Sequence, residues 1–206
     1  MAIKFYMTPG SCSTGIHILL EELELPFEVT IVNLPRGDHL KPGYLAINPK
    51  ASIPALVRDD GSALTEFQAI AWWLARSHPK AKLLPGDADG EARVIETMDY
   101  AVGNIHGQGY TRIFTTDQFT PNAADHEAVQ VRGREIVEQG FAIMNDALAG
   151  RDYVAGDFSI ADAALFYVEF WADKLGIALP DHCGAHYQRM RARPAVQRVL
   201  REEGYR

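Results

Sequence analysis

Cysteine is scarce in this chain, with only Cys12 and Cys183 among 206 residues. Two cysteines are too few for a disulfide framework, so a small stapled secreted fold is excluded. Positive charge is also in deficit. Twenty Lys and Arg stand against twenty-seven Asp and Glu, a formal charge of -7, which argues against a general nucleic-acid binder. No run approaches the roughly 18 uncharged apolar residues of a membrane span. The opening Met-Ala-Ile-Lys-Phe-Tyr meets Thr8-Pro9-Gly10 at once and has no apolar signal-peptide region. These absences lead to the expectation of an acidic, cytoplasmic globular protein with no membrane and no nucleic acid among its partners.

The first eighty residues alternate between strand-like and helix-like text. Ile3 to Met7 is short and apolar and ends in a Thr-Pro-Gly turn. From Ser13, Ile16, Leu19, Leu20 and Leu23 recur at helical spacing. Phe27, Val29 and Ile31 alternate as a second strand, and Ile53 to Val57 reads as a third. Asp59-Asp60-Gly61-Ser62 is a hairpin turn, and a helix over Phe67–Ser77 closes the unit. After Leu84-Pro85-Gly86-Asp87 the text consists of long amphipathic segments, over about 90–114, 125–149 and 160–175, with two more after Pro180 and Pro194. Ser159 stands three residues before Asp162, an acidic variant of the capping box. The expected fold is α/β plus all-α: a βαβ-ββα domain over 1–79, a linker over 80–88 and a helical domain over 89–206.

Cys12 lies between a strand-ending turn and the first helix. The positive end of the helix dipole there favours a thiolate and predicts a pKa below that of a free thiol. A small buried filler is the competing reading, since free cysteine is among the most buried residue types. Cys12-Ser13-Thr14-Gly15 contains no second cysteine, which excludes a dithiol cycle within the chain. His182, Cys183 and His186 lack the further ligands of a metal centre, so no metal is expected.

Four segments in order carry a resemblance across nearly the whole chain. They are Tyr6-Met7-Thr8-Pro9-Gly10-Ser11-Cys12-Ser13, Asn48 to Leu56, Leu64 to Ile70, and Ser159-Ile160-Ala161-Asp162. Together they resemble the cytosolic glutathione transferases, and among them the bacterial beta-type class. The resemblance implies a thioredoxin-like domain followed by a helical bundle, usually as a homodimer. Glutathione would be a co-substrate with no permanently bound cofactor, and a small apolar electrophile would be the second substrate.

Site residues follow from the same resemblance. Cys12 matches the cysteine beside the glutathione sulfur, and His106 matches a histidine reaching that site from the helical domain. Ile53-Pro54 would be the family's cis-proline segment, pairing with the cysteinyl part of glutathione like an added strand. Glu66 would accept from the glutamyl ammonium, and Asp99 is a second candidate for it, on the same helix face as His106. Lys41 is the candidate for the glycine carboxylate. Ser159 and Asp162 match the family's N-capping motif, a folding role.

Two departures stand out. Phe67 occupies the place of a serine whose hydroxyl holds the glutamyl carboxylate, with Gln68 as the residue to compensate. Met7 occupies the place of the strand-end tyrosine, while Tyr6 faces the other side of the strand, which leaves Ser11 and Ser13 as hydrogen-bond donors. The aromatic set Tyr110, Phe114, Phe119, Tyr167 and Trp171, with Ile113, serves equally as helical core or as the wall of an electrophile pocket. Conjugation of glutathione to apolar electrophiles is the expected function, with thiol-disulfide exchange through Cys12 as an added activity. The alternative is a binding protein of the same fold with little or no catalysis.

Overall fold

The computed structural model describes residues 3–205. Contacts divide the chain into two compact units, one running to Leu84 and resuming at Arg191, the other spanning Pro85–Met190.

In the first unit four strands, β1 (Ile3–Met7), β2 (Phe27–Ile31), β3 (Ala55–Val57) and β4 (Ala63–Thr65), form one sheet in the order β2-β1-β3-β4. β2 lies parallel to β1, which needs a crossover; helix α1 (Ser13–Glu22) supplies it. β3 runs antiparallel to both β1 and β4, with Phe5 opposite Leu56 and Leu56 opposite Leu64. Alternation along β1 sorts its side chains. Phe5 and Met7 are buried on the face that meets α1, where the Phe5 ring lies 6.0 Å from that of His17. Tyr6 points to the opposite face and meets Tyr44 of the short helix α2 (Pro42–Leu45) at 5.9 Å. α3 (Phe67–Ser77) buries Ile70, Ala71 and Leu74, and packs against α1. Between β2 and β3, α2 starts at Pro42, which sits at the first helical position, where a missing N–H costs nothing.

The last helix, α9 (Pro194–Glu202), returns to this unit. The expectation that residues 89–206 form one domain is corrected at that end. The physical reason is a set of charged contacts onto α1. Arg193 donates twice to Glu22, at 2.7 and 2.9 Å, and Arg198 donates to Glu21 at 2.7 Å. The Glu203 carboxylate accepts from the Gly10 N–H and the Thr14 hydroxyl, both at 2.7 Å, and lies 2.9 Å from His17 Nδ1.

In the second unit α4 (Ala88–Asp99) leads into a π-helical stretch, Tyr100–Tyr110, and then α5 (Thr111–Phe114). The single regular helix expected over 90–114 is thus interrupted. Gly103, Gly107 and Gly109 weaken α-helical preference there, and the Thr111 N–H reaches the His106 carbonyl five residues back. α6 (His126–Ala147) packs closely on this stretch. A side chain at Gly133 would meet the Gly109 carbonyl oxygen at 2.8 Å, and one at Gly140 would meet Ile105 at 2.6 Å. The central helix, α7 (Ile160–Leu175), is buried from Ile160 to Ala172 and starts with the expected capping box between Ser159 and Asp162. Against it, α8 (Asp181–Ala192) brings His186 between two buried carboxylates, with Nδ1 2.8 Å from Glu169 and Nε2 3.1 Å from Asp162. Burial alone pushes the His186 pKa down, but Glu169 and Asp162 outweigh it and raise it to about 10, so the ring is a buried cation at neutral pH. His186 is thereby committed to a structural ion pair, and Cys183 donates to the Phe141 carbonyl at 3.5 Å. Among the described residues no helix is long and apolar enough to cross a membrane.

Candidate active site

Within the first unit, the end of β1, the start of α1 and the loop before β3 bring together the residues singled out by sequence. Cys12 caps α1 and is only 9% exposed. Its thiol donates to the Ile53 carbonyl at 3.6 Å. The expected low pKa is not found. Burial dominates and pushes the Cys12 thiol up to about 12, although the backbone N–H groups of Cys12 and Ser13 pull the other way. Desolvation of the charged form outweighs the helix dipole because the dipole offers only partial charges, whereas burial strips the thiolate of water.

The Ile53-Pro54 bond is cis, as expected. The residues that hold this loop escaped the sequence reading. Tyr44 donates its hydroxyl to the Ser52 carbonyl at 2.5 Å, and the fully buried Asn48 amide donates to the same oxygen at 2.7 Å. Asn48 also accepts from the Lys50 N–H at 3.1 Å. Tyr44 and Asn48 therefore act as a clamp on the loop bearing Ile53. An asparagine before a proline and close to an Ile-Pro pair was the available signal, since a short amide side chain is suited to fixing turn backbone.

Ser11 and Ser13 turn to each other. The Ser11 hydroxyl donates to the Thr8 carbonyl at 2.6 Å and accepts from the Ser13 N–H at 3.1 Å. The two hydroxyl oxygens lie 2.9 Å apart. Each hydroxyl has one proton, so the Ser13 hydroxyl is the donor of that pair and both protons are used locally. The two serines brace the turn that carries Cys12. They do not offer spare donors.

At the start of α3, Glu66 has φ +75°, a conformation that non-glycine residues seldom adopt outside functional or otherwise constrained sites. Its carboxylate pairs with Lys50, and both side chains are about half exposed. Lys50 is a further residue that sequence reasoning missed. Phe67 is buried at 3% exposure, so its ring belongs to the core, and it opens α3 together with the half-buried Gln68. Lys41 is drawn instead to Asp38, at 2.5 Å, and lines a cleft of about 510 Å³ with Tyr6, Ile31 and Tyr44 on the α2 face of the sheet. Neither Cys12, Ile53 nor Glu66 lines that cleft.

Asp99 and His106 belong to the second unit. The expectation that they share a helix face assumed 3.6 residues per turn. The i-to-i+5 bonding that begins after Asp99 widens the turn and breaks that register. Asp99 is exposed, whereas His106 is half-buried in an aromatic wall. The His106 ring meets Trp171 edge-on at 4.8 Å, and Nδ1 is 3.1 Å from the Tyr167 hydroxyl. Burial pushes its pKa down to about 4, so the ring is neutral at pH 7. Tyr110 and Phe114 stack at 5.6 Å and both meet Trp171 edge-on, with Phe114 half exposed at the rim. Tyr110 is anchored by its hydroxyl to the Val168 carbonyl at 2.8 Å. The aromatic set is therefore core at Tyr110 and Tyr167, and surface at Phe114.

Comparison with known proteins agrees with this geometry. The chain matches the family model described as glutathione S-transferase, N-terminal domain, over residues 10–77, and that of the C-terminal domain over 110–202. It is 38% identical to glutathione S-transferase GstA of Escherichia coli O157:H7, over 98% of this chain and 99% of that relative. Among solved structures, a glutathione transferase homolog from Sulfitobacter with bound glutathione superposes with a TM-score of 0.90 at 30% identity, covering 98% of each chain. A bacterial beta class glutathione S-transferase of Sphingomonas chungbukensis superposes with a TM-score of 0.83 at 29% identity, again over 98% of each. A thioredoxin-like sheet with a cis-proline loop facing a helix-capping cysteine, followed by a helical unit and matched over almost its full length, identifies this chain as a member of the glutathione S-transferase family.

Proposed function

We propose that the protein conjugates glutathione to small apolar electrophiles. The observation that carries this reading is the clamped Ser52-Ile53-Pro54 segment with the Cys12 thiol on the Ile53 carbonyl, 3.6 Å away. An extended tripeptide can add to that backbone as a short strand, which places its cysteinyl sulfur near Cys12 and the start of α1. Glu66 accepts from the glutamyl ammonium, and the N-terminal end of α3 receives the glutamyl carboxylate. Lys50, paired with Glu66 at the start of α3, is a better-placed cation for a glutathione carboxylate than Lys41, which lines the cleft on the α2 face of the sheet.

In this reading the reacting nucleophile is the glutathione sulfur. With a pKa near 12, only about one Cys12 thiol in 10⁵ is ionised at pH 7 in the free protein. Cys12 then serves chiefly as a hydrogen-bonding neighbour of the bound sulfur, and thiol-disulfide exchange through it is the minor activity. His106 is a neutral hydrogen-bond donor: with Tyr167 donating to Nδ1, Nε2 keeps its proton. A ring with a pKa near 4 is a poor proton carrier at pH 7, so the donor role replaces that of a general base. The aromatic wall around Trp171 suits an apolar, aromatic electrophile. A homodimer, usual for the family, is part of this proposal.

Wild type and Cys12→Ala are to be compared in conjugation of a chloro-dinitro-aryl halide and in reduction of a glutathione mixed disulfide. Conjugation retained within about tenfold, with the disulfide activity lost, is the expected pattern. Loss of both activities while millimolar glutathione still binds would make Cys12 the essential nucleophile. Absence of glutathione binding in calorimetry would sink both enzyme readings.

A further inference from the structure

A second group of chemically active side chains lies in the first unit, apart from Cys12. His17 and Glu21 stand four residues apart on α1 and so share one face of that helix, while Glu202 comes from the end of α9. One ligand atom from each of the three lies within 4.8 Å of the others.

The state of His17 gives this cluster its meaning. The ring is 3% exposed. Its Nδ1 faces Glu203, whose other carboxylate oxygen already accepts from Gly10 and Thr14. A carboxylate that accepts this many donors is matched as an anion, which makes Nδ1 the proton-bearing nitrogen. Nε2 is then left buried with its lone pair, with no hydrogen-bond partner among the described residues. It points at Glu202 Oε2, 3.3 Å away. A lone pair facing a carboxylate is repulsive, and a cation held by both turns that repulsion into coordination.

The 3.3 Å between His17 Nε2 and Glu202 Oε2 suits such an ion. A tetrahedron with bonds of about 2.0 Å has ligand-ligand edges of about 3.3 Å. A carboxylate bound to the far nitrogen of a metal-ligating imidazole is the usual way its tautomer and orientation are fixed, and Glu203 supplies it. Arg198 occupies Oε2 of Glu21, which leaves the other oxygen of that carboxylate for an ion. The Glu202 side chain is half exposed, which provides an entry route and room for water as the remaining ligand.

We propose that His17 Nε2, Glu21 and Glu202 form a site for a divalent transition cation, with Zn²⁺ the best match to one imidazole and two carboxylates, and that Glu203 orients His17 within it. The ion would tie the final helix to α1, the helix that begins at Cys12. This site does not depend on the glutathione reading.

Chelator-treated protein carrying Cys12→Ser, which removes the thiol at the start of α1 as a competing ligand, is to be titrated with Zn²⁺ by calorimetry. Co²⁺ is then used as a spectroscopic substitute. One ion per chain is expected, with visible d–d absorption on Co²⁺ binding and at least tenfold weaker binding in Glu202→Gln, a change on an exposed side chain that leaves the fold intact. His17→Gln should abolish the Co²⁺ spectrum. Equal affinity in the parent, Glu202→Gln and Glu21→Gln would overturn the proposal. So would no binding at about 100 µM Zn²⁺ between pH 6 and 8, which would make a second proton the occupant of Nε2.

Discussion

Cys12 shows how two local effects of opposite sign are decided by magnitude. Its place at the start of α1 favours the thiolate, and its burial opposes it; burial wins and the pKa rises to about 12. A group whose neutral form is favoured in the fold adds stability that is intact below the unfolded thiol's pKa near 8.5 and is lost as pH rises toward 12. The same shift governs reactivity. Alkylation of Cys12 by iodoacetamide should be slow at pH 7 and accelerate about tenfold per pH unit past pH 10, where a free cysteine has already levelled off near pH 9. A plateau near pH 8.5, followed by mass spectrometry of the modified peptide, would show that the dipole and not burial controls this thiol. Position in the sequence revealed that Cys12 caps a helix. It carried no information on how deeply that cap is covered, because burial is set by residues distant in the chain.

At the scale of elements, the packing of the 100–114 stretch on α6 rests on missing side chains. Gly133 is the critical member, since a Cβ there would meet the rigid backbone oxygen of Gly109 at 2.8 Å. In an open helix, Gly→Ala stabilises by about 0.5–1 kcal/mol. At Gly133 the sign reverses: Gly133→Ala should destabilise by about 1–3 kcal/mol because the two helices must move apart. A Cβ at Gly184, in α8, would meet no other group within 4 Å among the described residues, so Gly184 is the matched control, where Ala should stabilise. Urea midpoints of the two variants shifting in the same direction would contradict this account. Elements defined by their own periodicity were legible from sequence: β1, α3 and α7 have the bounds that their apolar spacing and caps predict. The π-helical stretch was not, because its apolar positions resemble those of an α-helix and only three glycines hinted at the change. That change also undid the shared helix face of Asp99 and His106, an inference that depended on an unbroken helical period. The cis-proline loop was legible as a motif, whereas its clamp by Tyr44 and Asn48 depends on tertiary contacts.

At the scale of the whole molecule, the first unit is discontinuous in sequence: it is completed only by residues after Met190. Those residues bring Arg193 to Glu22, Arg198 to Glu21 and Glu203 to the turn before Cys12. Removing Glu203 alone takes the acceptor from the buried Thr14 hydroxyl and from the buried His17 Nδ1, and each buried donor left without a partner costs about 1–3 kcal/mol. Glu203→Ala should therefore lower stability by about 2–4 kcal/mol in denaturant unfolding. A midpoint equal to that of the wild type would mean that water replaces this carboxylate at no cost. The sequence division near residue 80 located the boundary where the text changes, but an α9 that reads as one more helix gives no sign of which unit it joins.

The late return of α9 has a consequence for synthesis. Domains generally fold as they emerge from the ribosome, N-terminal parts first. Here the part made first is finished last. A nascent chain of 84 residues has the whole sheet and Cys12, yet lacks the carboxylate that holds the Gly10 turn and the arginines that pair with α1. The helical insertion, Pro85–Met190, is complete before the unit that precedes it, so the thiol-bearing turn acquires its final bracing only when residues 193–203 have emerged.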